Sequence, residues 1–269
     1  KGCFKGIDSY GFSFISHDKR REALIDYLLP LLFIFVAFIY SSVGLGGGSS
    51  YIAIMSIMAV PYQLIPTTSL MLNLVVTFIG MINFWRKGHG RMKLILPFMI
   101  TSIPMAYYAG TLQLDESLFQ LFLLVTLIFV LIRIYIINSL TFSKELTPSQ
   151  KWVFIFGLGA ILGFIAGAVG IGGGIYLVPL IVMFGLGTVK EAAAAGTMFI
   201  WVNSLAGIIA RYNSGTFDAK FISPLIIAVV IGGFAGSYFG STKFEPHSIQ
   251  KIMGAVIIVA VILLLRKMI

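Results

Sequence analysis

From Tyr27 to Trp85 the chain carries not one Asp, Glu, Lys, Arg or His. A run of that length cannot be threaded through a water-soluble domain, where charged side chains recur at about one residue in four. Here charged residues make up only 11% of the chain and hydrophobic ones 58%, with a mean hydropathy of +0.99. Charge-free runs recur at Leu94–Leu114, Ser117–Ile132, Trp152–Val189, Ala192–Ala210, Phe221–Thr242 and Ile252–Leu265. A helix crossing a hydrocarbon layer about 30 Å thick needs about 20 such residues. The chain therefore reads as an all-α integral membrane protein, and disorder is excluded by the amount of apolar surface available for burial.

The runs place about eight transmembrane helices, near 24–43, 67–85, 94–112, 118–137, 152–169, 191–211, 220–240 and 249–267. Two apolar pieces, Ser49–Val60 and Ile175–Gly185, are too short to cross as helices, reaching about 17–18 Å at 1.5 Å per residue. Each follows a cluster of glycines, and each reads as a half-helix. With eight crossings and the N-terminus inside, 16 Lys and Arg face the cytoplasm and three face outward. The positive-inside bias then predicts a multi-pass protein of the cell (inner) membrane with both termini cytoplasmic. If both half-helices crossed, the split would be near even, 9 against 10.

The formal charge of +9 is accounted for by those basic loops, so nucleic acid is not an expected partner. Cys3, the single cysteine, and His17, His89 and His247 lie in tail and loop segments. They offer no disulfide framework and no metal site. No cofactor is expected, and with no buried His, Cys or acid pair the chain does not read as an enzyme.

The chain also repeats itself. Val43-Gly44-Leu45-Gly46-Gly47-Gly48 returns 126 positions later as Val169-Gly170-Ile171-Gly172-Gly173-Gly174. A shift of 127 then pairs Gly80 with Gly207, Gly88 with Gly215, Lys93 with Lys220 and Pro97 with Pro224. The expected organisation is a polar tail over 1–22, a membrane repeat over 23–137, a linker over 138–151 and a second repeat over 152–269. Duplication of this kind is a mark of transporter folds, whose substrate sites lie near the midplane at discontinuous helices. Four crossings per unit would make the two repeats parallel; an odd number would invert one of them.

Glycine in a helix interior costs about 1 kcal/mol relative to Ala, and exposed backbone is penalised in lipid. A glycine cluster placed twice in a membrane chain therefore suggests that its backbone is used. Glycines with positive φ can turn successive N–H groups toward one point, and the half-helix that follows adds the positive end of its dipole. Gly46, Gly47, Gly48, Gly172, Gly173 and Gly174 are the candidate backbone donors to a small anion. Ser49 and Ser50 would add hydroxyls or cap the helix. The competing explanation is close helix packing. Nucleotide loops do not fit, for no Lys follows the glycines and no strand precedes them.

The paired glycine runs, with Pro179 a short apolar stretch after the second, resemble the TauE/SafE family of sulfite and sulfonate exporters. The resemblance covers about Leu24 to Ile269 and includes the two-repeat layout. It implies export of small sulfur-containing oxyanions or organosulfonates across the cytoplasmic membrane. In the first copy Ala53-Ile54 stands where the second has Val178-Pro179.

Asn73 and Thr77, four apart and so on one helix face, together with Asn203 and Ser204 are candidates to line the path, or else to bond between helices. Thr67, Thr68 and Ser69 read as a helix cap. Arg133 and Arg211 are candidates for an electrostatic vestibule, although snorkelling for Arg133 and topology-setting for Arg211 are the favoured explanations. A passive anion channel and a non-transporting assembly subunit are the alternatives. The partners expected are the bilayer and a small anion, and a homo-oligomer is compatible with the sequence.

Overall fold

The computed structural model describes residues 27–112, 114–135, 148–212 and 216–242, together with 257, 258, 261, 262 and 265. Among them lie nine helices and no strand. These are α1 (Leu29–Ser42), α2 (Gly48–Ile57), α3 (Leu64–Arg86), α4 (Met92–Thr111), α5 (Glu116–Tyr135), α6 (Pro148–Val169), α7 (Gly174–Met183), α8 (Val189–Arg211) and α9 (Ala219–Thr242). Five of them, α3, α4, α6, α8 and α9, are long and apolar enough to cross a membrane. The polar tail and residues 138–147 of the expected linker lie outside the described residues. So does most of the expected span 249–267, of which the five residues described are helical. The last part of the linker belongs instead to α6, where Pro148 takes the first helical position, which lacks a backbone bond to lose.

Small residues let the helices approach backbone to backbone. On α6, Gly159, Gly163 and Gly167 lie in turn against Phe98, Ser102 and Ala106 of α4. On α9, Gly232, Gly236 and Gly240 lie against Ile34, Phe38 and Ser42 of α1. A Cβ at most of these glycines would strike a backbone carbonyl of the facing helix, so no side chain fits. The ascending numbers on both sides show that α4 and α6 run parallel, as do α1 and α9.

The same reasoning fixes the centre. Leu70 meets Gly207, and Gly80 meets Thr197, so α3 and α8 are antiparallel. Asn83 donates to Ser237 at 2.7 Å and Val76 meets Gly233, so α3 and α9 are parallel. Arg91 pairs with Glu191 at 3.2 Å while Gly110 meets Ala210, so α4 and α8 are parallel. Helices α1, α3 and α9 thus point one way, and α4, α6 and α8 the other.

This corrects the eight-crossing arrangement, in which α3 and α8 would run in the same direction. Because α1 and α3 are parallel, the segment between them, holding the first glycine run and α2, must carry the chain back. The segment between α6 and α8 does likewise. The physical reason is reach: each short helix rises only about 1.5 Å per residue, but it does not make the return alone, because non-helical residues flank it on both sides, 43–47 and 58–63 around α2 and 170–173 and 184–188 around α7. Exchanging α1–α4 with α6–α9 maps the packing onto itself. The pair α1–α9 maps onto α6–α4, α9–α3 onto α4–α8, and α2–α3 onto α7–α8. Gly44 lies against Ala193, and their counterparts, Gly170 and Pro66, lie against each other.

Candidate functional site

Both glycine runs are helix ends followed by helix starts. Helix α1 stops at Gly44 (φ 75°), where Leu45 N–H reaches back to Tyr40 O at 2.9 Å and Gly44 N–H to Ser41 O at 3.1 Å. A left-handed residue closing two such bonds is the usual glycine stop. Helix α2 then begins from Gly47, which has φ 95°. In the second run Gly170 (φ 88°) ends α6 through a bond to Ala166 O, and Gly173 (φ 74°) starts α7. Residues 44–50 and 170–178 are all buried.

The N–H groups of Gly46, Gly47, Gly48 and Ser49, and of Gly172, Gly173, Gly174 and Ile175, have no partner among the described residues. The first N–H groups of any helix lack intrahelical acceptors. Here neither start has a side-chain cap. Ser49 and Ser50 do not cap α2; both meet the buried Tyr40 hydroxyl, at 3.2 and 2.7 Å.

Helix α3 ties the two runs together through Asn73, which is fully buried. Its Nδ2 donates to Ile171 O at 3.2 Å and to Gly170 O at 3.4 Å. Its Oδ1 lies against Gly46, where a Cβ would collide with it. One turn earlier, Ser69 donates to Gly170 O at 2.8 Å and to Gly48 O at 3.5 Å. Gly46 and Gly48 are glycine because Asn73 occupies the space a side chain would need.

The other sequence candidates divide. Thr77 lies on the same helix, but its hydroxyl turns back to Asn73 O at 2.6 Å, within α3. Asn203 on α8 donates to Phe199 O at 2.8 Å, and neither its Oδ1 nor the Ser204 hydroxyl has a partner among the described residues. The Leu70–Gly207 and Gly80–Thr197 contacts set Ser204 at about the depth of Asn73. Thr67, Thr68 and Ser69 do not form a cap, because α3 starts earlier, from Gln63, without a side-chain bond. Thr67 instead meets Thr216 at 2.6 Å, and the buried Thr68 hydroxyl has no partner among the described residues. Tyr40 and Tyr51 were not among the sequence candidates, and Ser69 was named only as part of a helix cap. The only signal of the two tyrosines was a hydroxyl in an apolar run close to a glycine cluster.

At the end of the bundle where α3 starts and α8 finishes lies a cavity of about 380 Å³. Arg211 lines it beside Thr111, Gln63 and Thr216, with Leu114 and Phe119 on the apolar wall. The guanidinium also donates to Ala168 O at 3.2 Å and Gly207 O at 3.5 Å. Pro66 and Ala168 line the same cavity, and Pro66 lies against Gly170, so the cavity abuts the second break. At the opposite end the position matching Arg211 is Phe84, which is buried, and Trp85 Nε1 donates to Ala194 O at 3.4 Å. Arg133 lies on α5, and its side chain is outside what the structure describes. Among the described residues no group of His, Cys, Asp and Glu is arranged to hold a metal ion.

The family model described as "Sulfite exporter TauE/SafE" matches residues 29–266. The chain belongs to this family. A "probable membrane transporter protein" of Sinorhizobium fredii is 30% identical over 236 residues, covering 86% of this chain and 95% of that one. One of Bacillus subtilis is 26% identical over 249 residues, covering 86% and 96%. No solved structure matches the chain. This TauE/SafE protein is thus a multi-pass membrane protein of a transporter family, and the glycine runs fall inside the matched region.

Proposed function

We propose that this TauE/SafE protein exports a small sulfur-containing oxyanion, sulfite or an organosulfonate, across the cytoplasmic membrane through the two glycine breaks. The observation that carries the reading is that two buried helix starts with unpaired N–H groups are joined through one helix, α3, by Asn73 and Ser69. Unpaired buried donors are costly, and an anion accepting bonds at a break removes that cost there while meeting the positive end of the helix that follows. The antiparallel α3 and α8 support two repeats of opposite orientation, each with its glycine break, joined by the segment around 138–147. Such inverted halves bring discontinuous helices to a common midplane site.

Arg211 concentrates anions in the cavity that abuts the second break. Asn73, Asn203 and Ser204 supply the neutral polar contacts along α3 and α8. The membrane potential drives export, at about 2.3 kcal/mol per charge per 100 mV. The inner membrane is the expected location, with both termini on one side.

The test is anion flux from proteoliposomes loaded in turn with sulfite, ethanesulfonate, thiosulfate and sulfate, for wild type and Gly47→Ala. Saturable flux of a sulfur anion, lost in a Gly47→Ala protein that still folds, is expected. Linear, non-saturating flux would indicate a channel. Intact wild-type protein moving none of the four anions would overturn the reading.

A further inference from the structure

The two breaks share a backbone course but not a lining. At the second, Gly173 faces Phe199 and Ala166, while Gly172 and Gly174 face Ile200. Its carbonyls at Gly170 and Ile171 are already taken by Ser69 and Asn73. Ile175 and Leu177 stand where the first copy has Ser49 and Tyr51. Tyr176, matching Ser50, sends its hydroxyl away to Thr126 O at 3.2 Å. Apart from the Asn73 amide beside Gly172, whose N–H bonds go to Gly170 O and Ile171 O, the second break is therefore walled with hydrocarbon.

At the first break the wall is hydroxyl. Tyr51 is fully buried, its ring held against Phe33 at a centroid distance of 4.7 Å. As helical side chains do, it leans toward the helix start. A Cβ built at Gly47 would lie 2.8 Å from the Tyr51 hydroxyl oxygen. That hydroxyl has no hydrogen-bond partner among the described residues. Around the same helix start stand the unpaired N–H groups of Gly48 and Ser49 and the Tyr40–Ser49–Ser50 hydroxyl group.

Resting on the transport reading, we infer that the first break alone seats the anion, with Tyr51 O–H as a donor to it, and that the seat prefers a singly charged oxyanion. No Lys or Arg among the described residues lies on α1 or α2, and Lys190 on α8, three residues before the Ala193 that lies against Gly44, donates to Ser241 O and Thr242 O, so the ligand's charge is met chiefly by N–H and O–H dipoles. Each negative charge brought into such a site must be stripped of water without a countercharge, and the second costs more than the first. A compact head with several acceptor oxygens and one charge, such as hydrogensulfite or a sulfonate, fits this chemistry. A dianion such as sulfate does not.

The experiment measures KM for ethanesulfonate and sulfate in proteoliposomes, together with thermal melting and equilibrium binding of ethanesulfonate, for wild type, Tyr51→Phe and Phe199→Leu. Tyr51→Phe removes only an unpartnered hydroxyl, so its melting temperature is expected to stay level or rise, while KM and Kd for ethanesulfonate rise about tenfold. Phe199→Leu is expected to keep both constants. Wild-type flux of sulfate is expected to be at least tenfold poorer than that of ethanesulfonate, and sulfite affinity to fall as rising pH converts its monoanion to the dianion. Unchanged affinity in Tyr51→Phe, an equal loss in Phe199→Leu, or sulfate moving as well as ethanesulfonate would each overturn the inference. Absence of any wild-type flux would instead refute the transport reading, and the binding measurements would still decide the seat.

Discussion

Ala59 offers a sharp test of how the half-helices end. Helix α2 closes with Ala59 N–H bonded to Ser56 O and Val60 N–H to Met55 O, the turn that demands a left-handed residue. Ala59 takes φ 55°, the only positive value at a non-glycine residue among those described. Its counterpart after α7 is Gly185, at φ 61°, with Gly185 N–H bonded to Val182 O and Leu186 N–H to Ile181 O. An L-residue in this conformation costs about 1–2 kcal/mol, and glycine gives back about 0.5–1 kcal/mol through its greater freedom in the unfolded chain. Ala59 is exposed, so removing its methyl forfeits little burial. Ala59→Gly is therefore expected to stabilise by about 0.5–1 kcal/mol. Nothing lies within 4 Å of a Cβ placed at Gly185, so Gly185→Ala should destabilise by a similar amount without a clash. At about 2–4 °C per kcal/mol for a chain of this size, the two shifts should be about 1–4 °C in opposite directions. Melting in detergent at one scan rate reads both. A lower melting temperature for Ala59→Gly would refute the reasoning.

Other outcomes follow from the packing. Asn73→Leu leaves Ile171 O without its donor and should cost about 1–3 kcal/mol, with flux lost; a melting temperature and flux equal to wild type would contradict the bridging role. Gly163→Ala places a methyl on the α4 backbone at Ser102 and should lower stability by about 1–3 kcal/mol, read by melting. Arg211→Gln should reduce flux most at low ionic strength, because its attraction for anions is screened by salt; a loss independent of salt would assign Arg211 a structural role instead.

The helices were legible because lipid imposes a single rule on the sequence, and the charge-free runs obey it. The glycine breaks were legible because they occur twice. Their direction was not, since apolar composition carries no sign and the rise of the non-helical glycines cannot be read from residue identity. The positive-inside count inherited that error, because it depends on the number of crossings. In the site, Asn73 stood out as an amide in an apolar helix. Thr77 looked equivalent from its spacing, yet its hydroxyl satisfies its own helix. Ser69 was hidden by reading Thr67-Thr68-Ser69 as a cap, since the helix start at Leu64 is apolar and gives no signal. Tyr51 was hidden because a tyrosine near a membrane break looks like bulk until its hydroxyl is found buried and unpartnered.

Everything proposed for the site depends on α3 and α8 running in opposite directions, since that arrangement brings both glycine breaks to Asn73. The direct measurement is two-sided labelling in sealed membranes with a membrane-impermeant maleimide, on a Cys3→Ser background, of single cysteines placed at Asp115 and Asp218. Asp115 follows α4 and Asp218 precedes α9, and the parallel run of α4 and α8 puts both at one end of the bundle. Labelling of both from the same side is the predicted result. Labelling from opposite sides would restore the eight-crossing arrangement and contradict the account.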